Sequence, residues 1–199
     1  MDRRALMVAA SLLLASFLAG CATSGDRYHA KGMDFASVKK VAVLPFANLT
    51  REQYAMDRVR DVFVTKLLAT EEIYVIPLGE VFRGLSRAGM ADPTRPSPEE
   101  VKRFAGIVGV GAVFTGVLRE YGEVRSGSSA ANTISLSLQM MEVQTGDVVW
   151  SASSTKGGIT FKDRLFGGGG EPLDVVTQKA VEDLLDNLFE TERKKSRRK

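Results

Sequence analysis

The sequence predicts an α/β sandwich, helices packed on a mixed sheet whose second half is an antiparallel meander, in the order β-α-β-α-α-β-β-β-α. Three observations carry that reading. A short apolar run, VKKVAVLPF over 38–46, precedes an apolar stripe at helical spacing. Ile134, Leu136, Leu138 and Met140 alternate with Ser135, Ser137 and Gln139, then lead to a Gln144-Thr145-Gly146-Asp147 hairpin turn. Leu173, Val176, Ala180, Leu184 and Leu188 recur every three to four residues and close the chain with an amphipathic helix.

Taken in order, the run 38–46 is a buried strand ended at Pro45. Thr50 and Gln53 have capping-box spacing and open a helix carried by Met56, Val59, Phe63 and Leu67. A second short strand spans 73–76, and a weaker helix over 78–88 is interrupted by Gly84 and stopped at Gly89. After the 92–96 loop, Ser97, Pro98 and Glu100 supply a cap, a first-position proline and an acidic third position for the next helix. The strand 112–124 places Val113, Thr115 and Val117 on one face and Phe114 and Leu118 on the other. Residues 125–131 read as a Ser/Gly turn, Met140-Met141 as a bulge, and 148–155 as the returning strand with Trp150 in a sheet-to-helix contact.

The chain begins differently. Arg3 and Arg4 precede an uncharged stretch over 5–19 that is shorter than the about 20 apolar residues a spanning helix needs, but suits an export signal. It ends in Leu18-Ala19-Gly20-Cys21, which resembles the lipobox of bacterial lipoproteins. Small residues at 19 and 20 fit a protease groove, and the thiol of Cys21 is the nucleophile that accepts a diacylglycerol. The expected organisation is a signal at 1–20, a lipidated polar tether at 21–37, one α/β domain at 38–190 and a basic disordered tail at 191–199. Each buried acyl methylene contributes about 0.8 kcal/mol, so several chains on Cys21 hold a protein to a bilayer. Ala22 stands where aspartate is the usual inner-membrane retention signal, which points to the outer membrane's periplasmic face.

Charge and residue usage exclude much. The formal net charge of +3 is concentrated in the tail, where 193–199 holds six basic groups. Between Cys21 and Glu192, 19 basic side chains face 23 acidic ones, so the body is mildly acidic and carries no nucleic-acid footprint. The tail is a solubilising end, or touches anionic headgroups at about 1 kcal/mol per basic residue. One cysteine excludes an internal disulfide and a multi-cysteine zinc site, and one histidine, His29 in the tether, argues against a triad. Glycines 106, 109 and 111 follow a helix and lead into a strand, the reverse of a dinucleotide fingerprint. Gly167 to Gly170 lack the Lys-Ser/Thr of a phosphate loop. The serines at 126, 128, 129, 151, 153 and 154 are strand and turn residues, and Glu52, Asp57 and Asp61 a solvated helix face. No catalytic, metal or cofactor site is expected beyond the covalent lipid on Cys21.

Three segments together resemble the periplasmic lipoprotein group that includes CsgG, LpoB and small dimeric lipoproteins with a TolB N-terminal-type fold. They are VAVLPFAN at 41–48, GIVGVGAVFTGVL at 106–118 and ISLSLQMMEVQTGDVVWSAS at 134–153. The resemblance implies a non-catalytic assembly, regulatory or transport component of the cell envelope. Channel-forming members carry two membrane hairpins, whose strands need about 9–11 residues each. Here the segment between Val124 and Thr133 is a short polar turn, and 157–171 is too short for two spans and holds Lys162-Asp163-Arg164 and four glycines. That argues against a pore. The same 157–171 segment is either a mobile surface loop or an interaction site that dips into a partner or membrane, with Phe161, Leu165 and Phe166 as anchors.

The expected function is therefore an outer-membrane-anchored binding or assembly factor with envelope proteins, or copies of itself, as partners. The alternatives are an oligomeric subunit of a CsgG-type export complex and, from another class, a small hydrolase, which the missing nucleophile-base pair disfavours.

Overall fold

A computed structural model describes residues 26–31, 33, 37–127, 129–159 and 170–196. Among the described residues there are seven strands and four helices: β1 Arg27–His29, β2 Lys40–Val43, β3 Ala47–Asn48, α1 Ala55–Ala69, β4 Tyr74–Val75, α2 Leu78–Ala88, α3 Pro98–Val108, β5 Ala112–Ser126, β6 Ser129–Glu142, β7 Val148–Gly157 and α4 Leu173–Ser196. The strands form one mixed sheet in the order β1-β7-β6-β5-β2-β4, with β3 also on β5. β2, β3 and β4 run parallel to their neighbours, and β5, β6 and β7 form the antiparallel meander. The predicted fold class and element order are observed, with β1 and β3 added.

Burial follows from strand alternation. Val41 and Val43 point to one face and Ala42 and Leu44 to the other, all fully buried, so VAVL is a continuous apolar run because helices cover both sides. α1 and α4 cover the larger core, threaded by Phe46, Phe63, Phe114 and Trp150 with consecutive ring centroids 6.1, 5.3 and 6.1 Å apart. α2 and α3 cover the smaller core of Ala42, Leu44, Ile76, Phe104 and Val113. Ile134, Leu136, Leu138 and Met140 of β6 all enter the larger core, and the bulge falls at Met140/Met141 as expected.

Helix termini show where local signals succeed. Ser97 accepts from the Glu100 backbone N–H while the Glu100 carboxylate takes the Ser97 N–H at 2.8 Å, completing the capping box with Pro98 inside it. Gly109 ends α3 at φ 68°, and the Gly111 N–H reaches the Lys40 carbonyl at 2.9 Å, which gives these glycines a helix-ending role. The Thr50 box does not form. Thr50 instead donates its hydroxyl to the Asn48 side chain at 2.8 Å, Asn48 donates to the Glu52 carbonyl, and α1 starts after Tyr54 with no side-chain cap. Gly84 does not interrupt α2, because its bare Cα is where α3 packs.

Four further expectations are corrected. Residues 27–29, read as tether, form an edge strand, and the helix read as ending near 190 continues to Ser196. The 125–131 turn region is mostly strand: β5 and β6 stay paired to Ser126 and Ser129. The alternation on β5 is broken by a register shift between Leu118 and Glu120, which leaves Arg119 as the extra residue.

A Cβ at Gly84 would lie 2.4 Å from Val108 Cγ1 and 2.8 Å from Phe104 Cε2, whereas one at Gly106, on the exposed side of α3, would meet nothing within 4 Å. Overpacking costs about 1–3 kcal/mol, and replacing a helical glycine by alanine returns about 1 kcal/mol. Gly84→Ala is therefore expected to lower the melting temperature by a few degrees and Gly106→Ala to raise it slightly. Thermal unfolding of the two variants beside the parent checks both signs.

Candidate membrane and partner interface

β1 is a three-residue edge strand, too short to hold by its ladder alone. What fixes it is a side-chain clasp onto α4. Arg27 pairs with Glu190 at 2.7 Å and donates to Asn187 Oδ1 at 3.2 Å. His29 Nε2 donates to the Asn187 carbonyl at 3.0 Å, while Asn187 itself donates to the Asp183 carbonyl. Asp183 in turn accepts from Ser154 at 2.6 Å and pairs with Lys156 at 2.9 Å, tying β7 to the same helix. The Arg27–Glu190 pair is about half exposed and contributes no more than about 1 kcal/mol. The imidazole is the more buried element, and burial holds its pKa below 6.5, opposed by the Asn187 carbonyl and Glu190 and assisted by Arg27.

The second feature is an arm. β7 ends at Gly157, opposite Thr133, but β5 and β6 continue as a two-stranded ribbon from that level to Ser126 and Ser129. Arg119, the bulged residue, donates to Ser137 Oγ, and Arg125 pairs with Glu123 near the tip. At the base, the Gly158 N–H donates to the Asn132 carbonyl at 2.8 Å, and Asn132 Nδ2 donates to the Glu171 carbonyl at 2.9 Å. A Cβ on Gly157 would fall 2.1 Å from the Asn132 carbonyl oxygen, so only glycine fits this crossing.

The third is a sheet face. Ser135, Ser137, Gln139, Ser151, Ser153 and Thr155 point away from the larger core, and all are partly or fully exposed. Small hydroxyl side chains make this part of the sheet flat and polar. Ser154 points the other way, bound to Asp183, and the His29 ring faces Asn187, so no serine meets a histidine among the described residues. Among them, too, no group of three His, Cys, Asp or Glu could hold a metal ion.

One residue is a surprise on α1. Arg60 is 5% exposed and Phe82 of α2 lies 5.3 Å from its guanidinium, joining helices of opposite sheet faces beyond the β4 edge. Its Nη2 donates to Asp57 at 3.3 Å, while Nε and Nη1 have no hydrogen-bond partner among the described residues. Burial pushes this guanidinium below its usual pKa, with Asp57 and Asp61 pulling it back up. Asp57 and Asp61 are exposed, as expected of a solvated helix face, and Trp150 is fully buried against Phe114.

Of the site residues expected from sequence, Leu18, Ala19, Gly20 and Cys21 precede the described residues, and Phe161, Leu165 and Phe166 lie in 160–169, also outside them. Gly158 and Gly170, close to the two ends of that second segment, both abut Ala131–Asn132 at the arm's base. Sequence reasoning missed the clasp, the arm and Arg60.

No protein-family profile and no curated protein sequence matches the chain. Solved structures do. A single-substitution variant of the PelC dodecamer from Paraburkholderia phytofirmans superposes with a TM-score of 0.57 at 21% identity, covering 82% of this chain and 97% of that one. Lipoprotein GNA1162 from Neisseria meningitidis superposes at 0.55 with 17% identity, covering 75% and 97%. The LpoB C-terminal domain from Salmonella enterica, whose group the sequence resembles, gives 0.46 at 16% identity, covering 63% and 86%. The first two establish a shared fold across nearly the whole of those chains.

The lowered His29 pKa has a signed consequence. A folded value below the unfolded 6.5 favours the neutral ring in the folded state, so the clasp's contribution is complete above 6.5 and is lost as pH falls through the folded value. NMR titration of the single histidine is expected to show a midpoint below 6.5, with amide protection of 27–29 weakening on acidification relative to the core. A midpoint above 6.5 would contradict the buried clasp.

Proposed function

We propose that this chain is a lipid-anchored protein of the outer membrane's periplasmic face that acts without catalysis, as a subunit binding copies of itself and other envelope proteins. The observation that carries the reading is the coextensive fold: the likeness takes in 97% of a protein crystallised as a dodecamer and 97% of one described as a lipoprotein. Leu18-Ala19-Gly20-Cys21 after an uncharged stretch supports the anchor, with the acyl chains on Cys21 as the one covalent lipid. Membership of the CsgG, LpoB and TolB N-terminal group is part of this reading and rests on the segments 41–48, 106–118 and 134–153.

Several features of the body suit protein contact. The flat hydroxyl face of β6 and β7 offers a broad polar surface, and Phe82, 50% exposed, is backed by the buried Arg60 cation. Rigid aromatics backed by a cation are common anchors at interfaces. A role as an oligomeric export subunit is the second reading, favoured by the dodecameric relative. The arm does not extend that reading to a pore, because the ribbon beyond Gly157 is shorter than the about 9–11 residues per strand that a spanning hairpin needs.

Light scattering on the mature body, residues 22–199, decides between these states. The proposal expects a mass of several chains, with a ring of many copies favouring the export reading and a dimer the binding-factor reading. A strict monomer across the accessible concentration range would remove self-association from the proposal.

A further inference from the structure

We infer that the β5–β6 arm seats its tip in the headgroup layer of the bilayer that holds the Cys21 acyl chains, so that the body stands on the membrane arm first. This rests on the proposed lipidation of Cys21 and adds an orientation to it.

The argument is one of lengths and directions. The Ser153 N–H donates to the Asp26 carbonyl at 3.1 Å, so Asp26 is held on the sheet, and only 22–25 separate it from the proposed lipid-bearing residue. Five chain steps reach at most about 18 Å. β1 runs antiparallel to β7, so the chain leading back from Asp26 points the way β7 runs, toward Gly157 and the arm. Ser153 is level with Ser137 on β6, and the arm continues from there to Ser129, about 26 Å at the usual strand rise. An upright body would thus carry the tip about 8 Å past the Cα of Cys21, into a headgroup region whose depth is of that order. The tether is too short to let the arm end hang clear of the surface.

The tip's chemistry fits that depth. Among the described residues, the ribbon beyond the level of Gly157 has two strands alone, an arrangement marginal in water. It presents Val124, 38% exposed, and Arg125, whose side chain is 78% exposed, beside Glu123 and Ser129. A guanidinium and hydroxyls match phosphate and glycerol oxygens, and one valine without an apolar run stops short of the hydrocarbon. The opposite end of the meander, the Gln144 turn, lies about 45 Å away along β6 by the same strand rise.

The test uses the mature lipidated chain in phosphatidylethanolamine/phosphatidylglycerol vesicles, with an environment-sensitive fluorophore on Val124→Cys, on Arg125→Cys as a second tip position, or on Gln144→Cys. Lipidation occupies the Cys21 thiol, so each variant carries one dye. Spin-labelled headgroups are expected to quench the tip dyes several-fold more than the dye at 144. A long Gly/Ser insertion between Ser24 and Gly25 should remove the difference. A protein that floats with the vesicles but shows equal quenching at 124, 125 and 144 overturns the orientation while leaving the anchor intact. So do tip dyes that respond to protein dilution and ignore the quencher, which would assign the arm to another copy. A protein that fails to float and takes dye at Cys21 overturns the anchor, and the orientation with it.

Discussion

Everything in this fold hangs on β5. It pairs in parallel with β2 and β3 on one side and antiparallel with β6 on the other, so it joins the two halves of the sheet. Its alternation also feeds both cores: Ala112, Phe114 and Leu118 face α1 and α4, while Val113 faces α2 and α3. Phe114 touches Phe63 on one side and Trp150 on the other, linking first helix, central strand and last strand in one aromatic chain. Truncating such a phenylalanine removes about 3–5 kcal/mol from a domain whose whole margin is about 5–15 kcal/mol. At Arg119 the pattern stops. The bulge resets the strand, buried residues give way to exposed ones, and the same strand that built the core becomes the arm.

That continuity joins stability to location. The arm is an extension of the most buried strand and inherits its direction. The clasp of Arg27 and His29 on Asn187 and Glu190 then brings the amino-terminal end of the folded body to the same side. Because the clasp consumes residues that composition assigns to a flexible linker, little chain remains between body and Cys21. On the proposed anchor at Cys21, the body's position at a membrane becomes a matter of strand geometry.

The regular parts of this architecture were legible in the sequence because their signals are local. VAVL reads as a strand buried on both faces, 134–140 as one buried on a single face, and Ser97, Pro98 and Glu100 as a helix start. Thr50 and Gln53 carry the same kind of signal and mislead, because Asn48 competes for the Thr50 hydroxyl and turns the chain before the helix begins. β1 was illegible for a different reason. Arg27, Tyr28 and His29 pair with Ala152, Ser151 and Trp150, more than a hundred residues away, and three residues are too few to show a period. The arm hid in its own composition, since Ser126, Gly127 and Ser129 read as turn whether the ribbon stops at Val124 or runs on. Arg60 carries no signal of its own, because its burial depends on Phe82 of a helix more than twenty positions away. The clasp, the arm and Arg60 are all defined by tertiary contact, which leaves no local signal in the sequence.

The account's central claim is that acyl chains on Cys21 tie this body to a bilayer at short range. Intact-mass measurement on protein extracted from membranes tests it directly. The account predicts a chain lacking residues 1–20, with its new amino-terminal cysteine heavier by a diacylglyceryl group and a further acyl chain. A full-length precursor, or a mature chain with an unmodified thiol at Cys21, would contradict it.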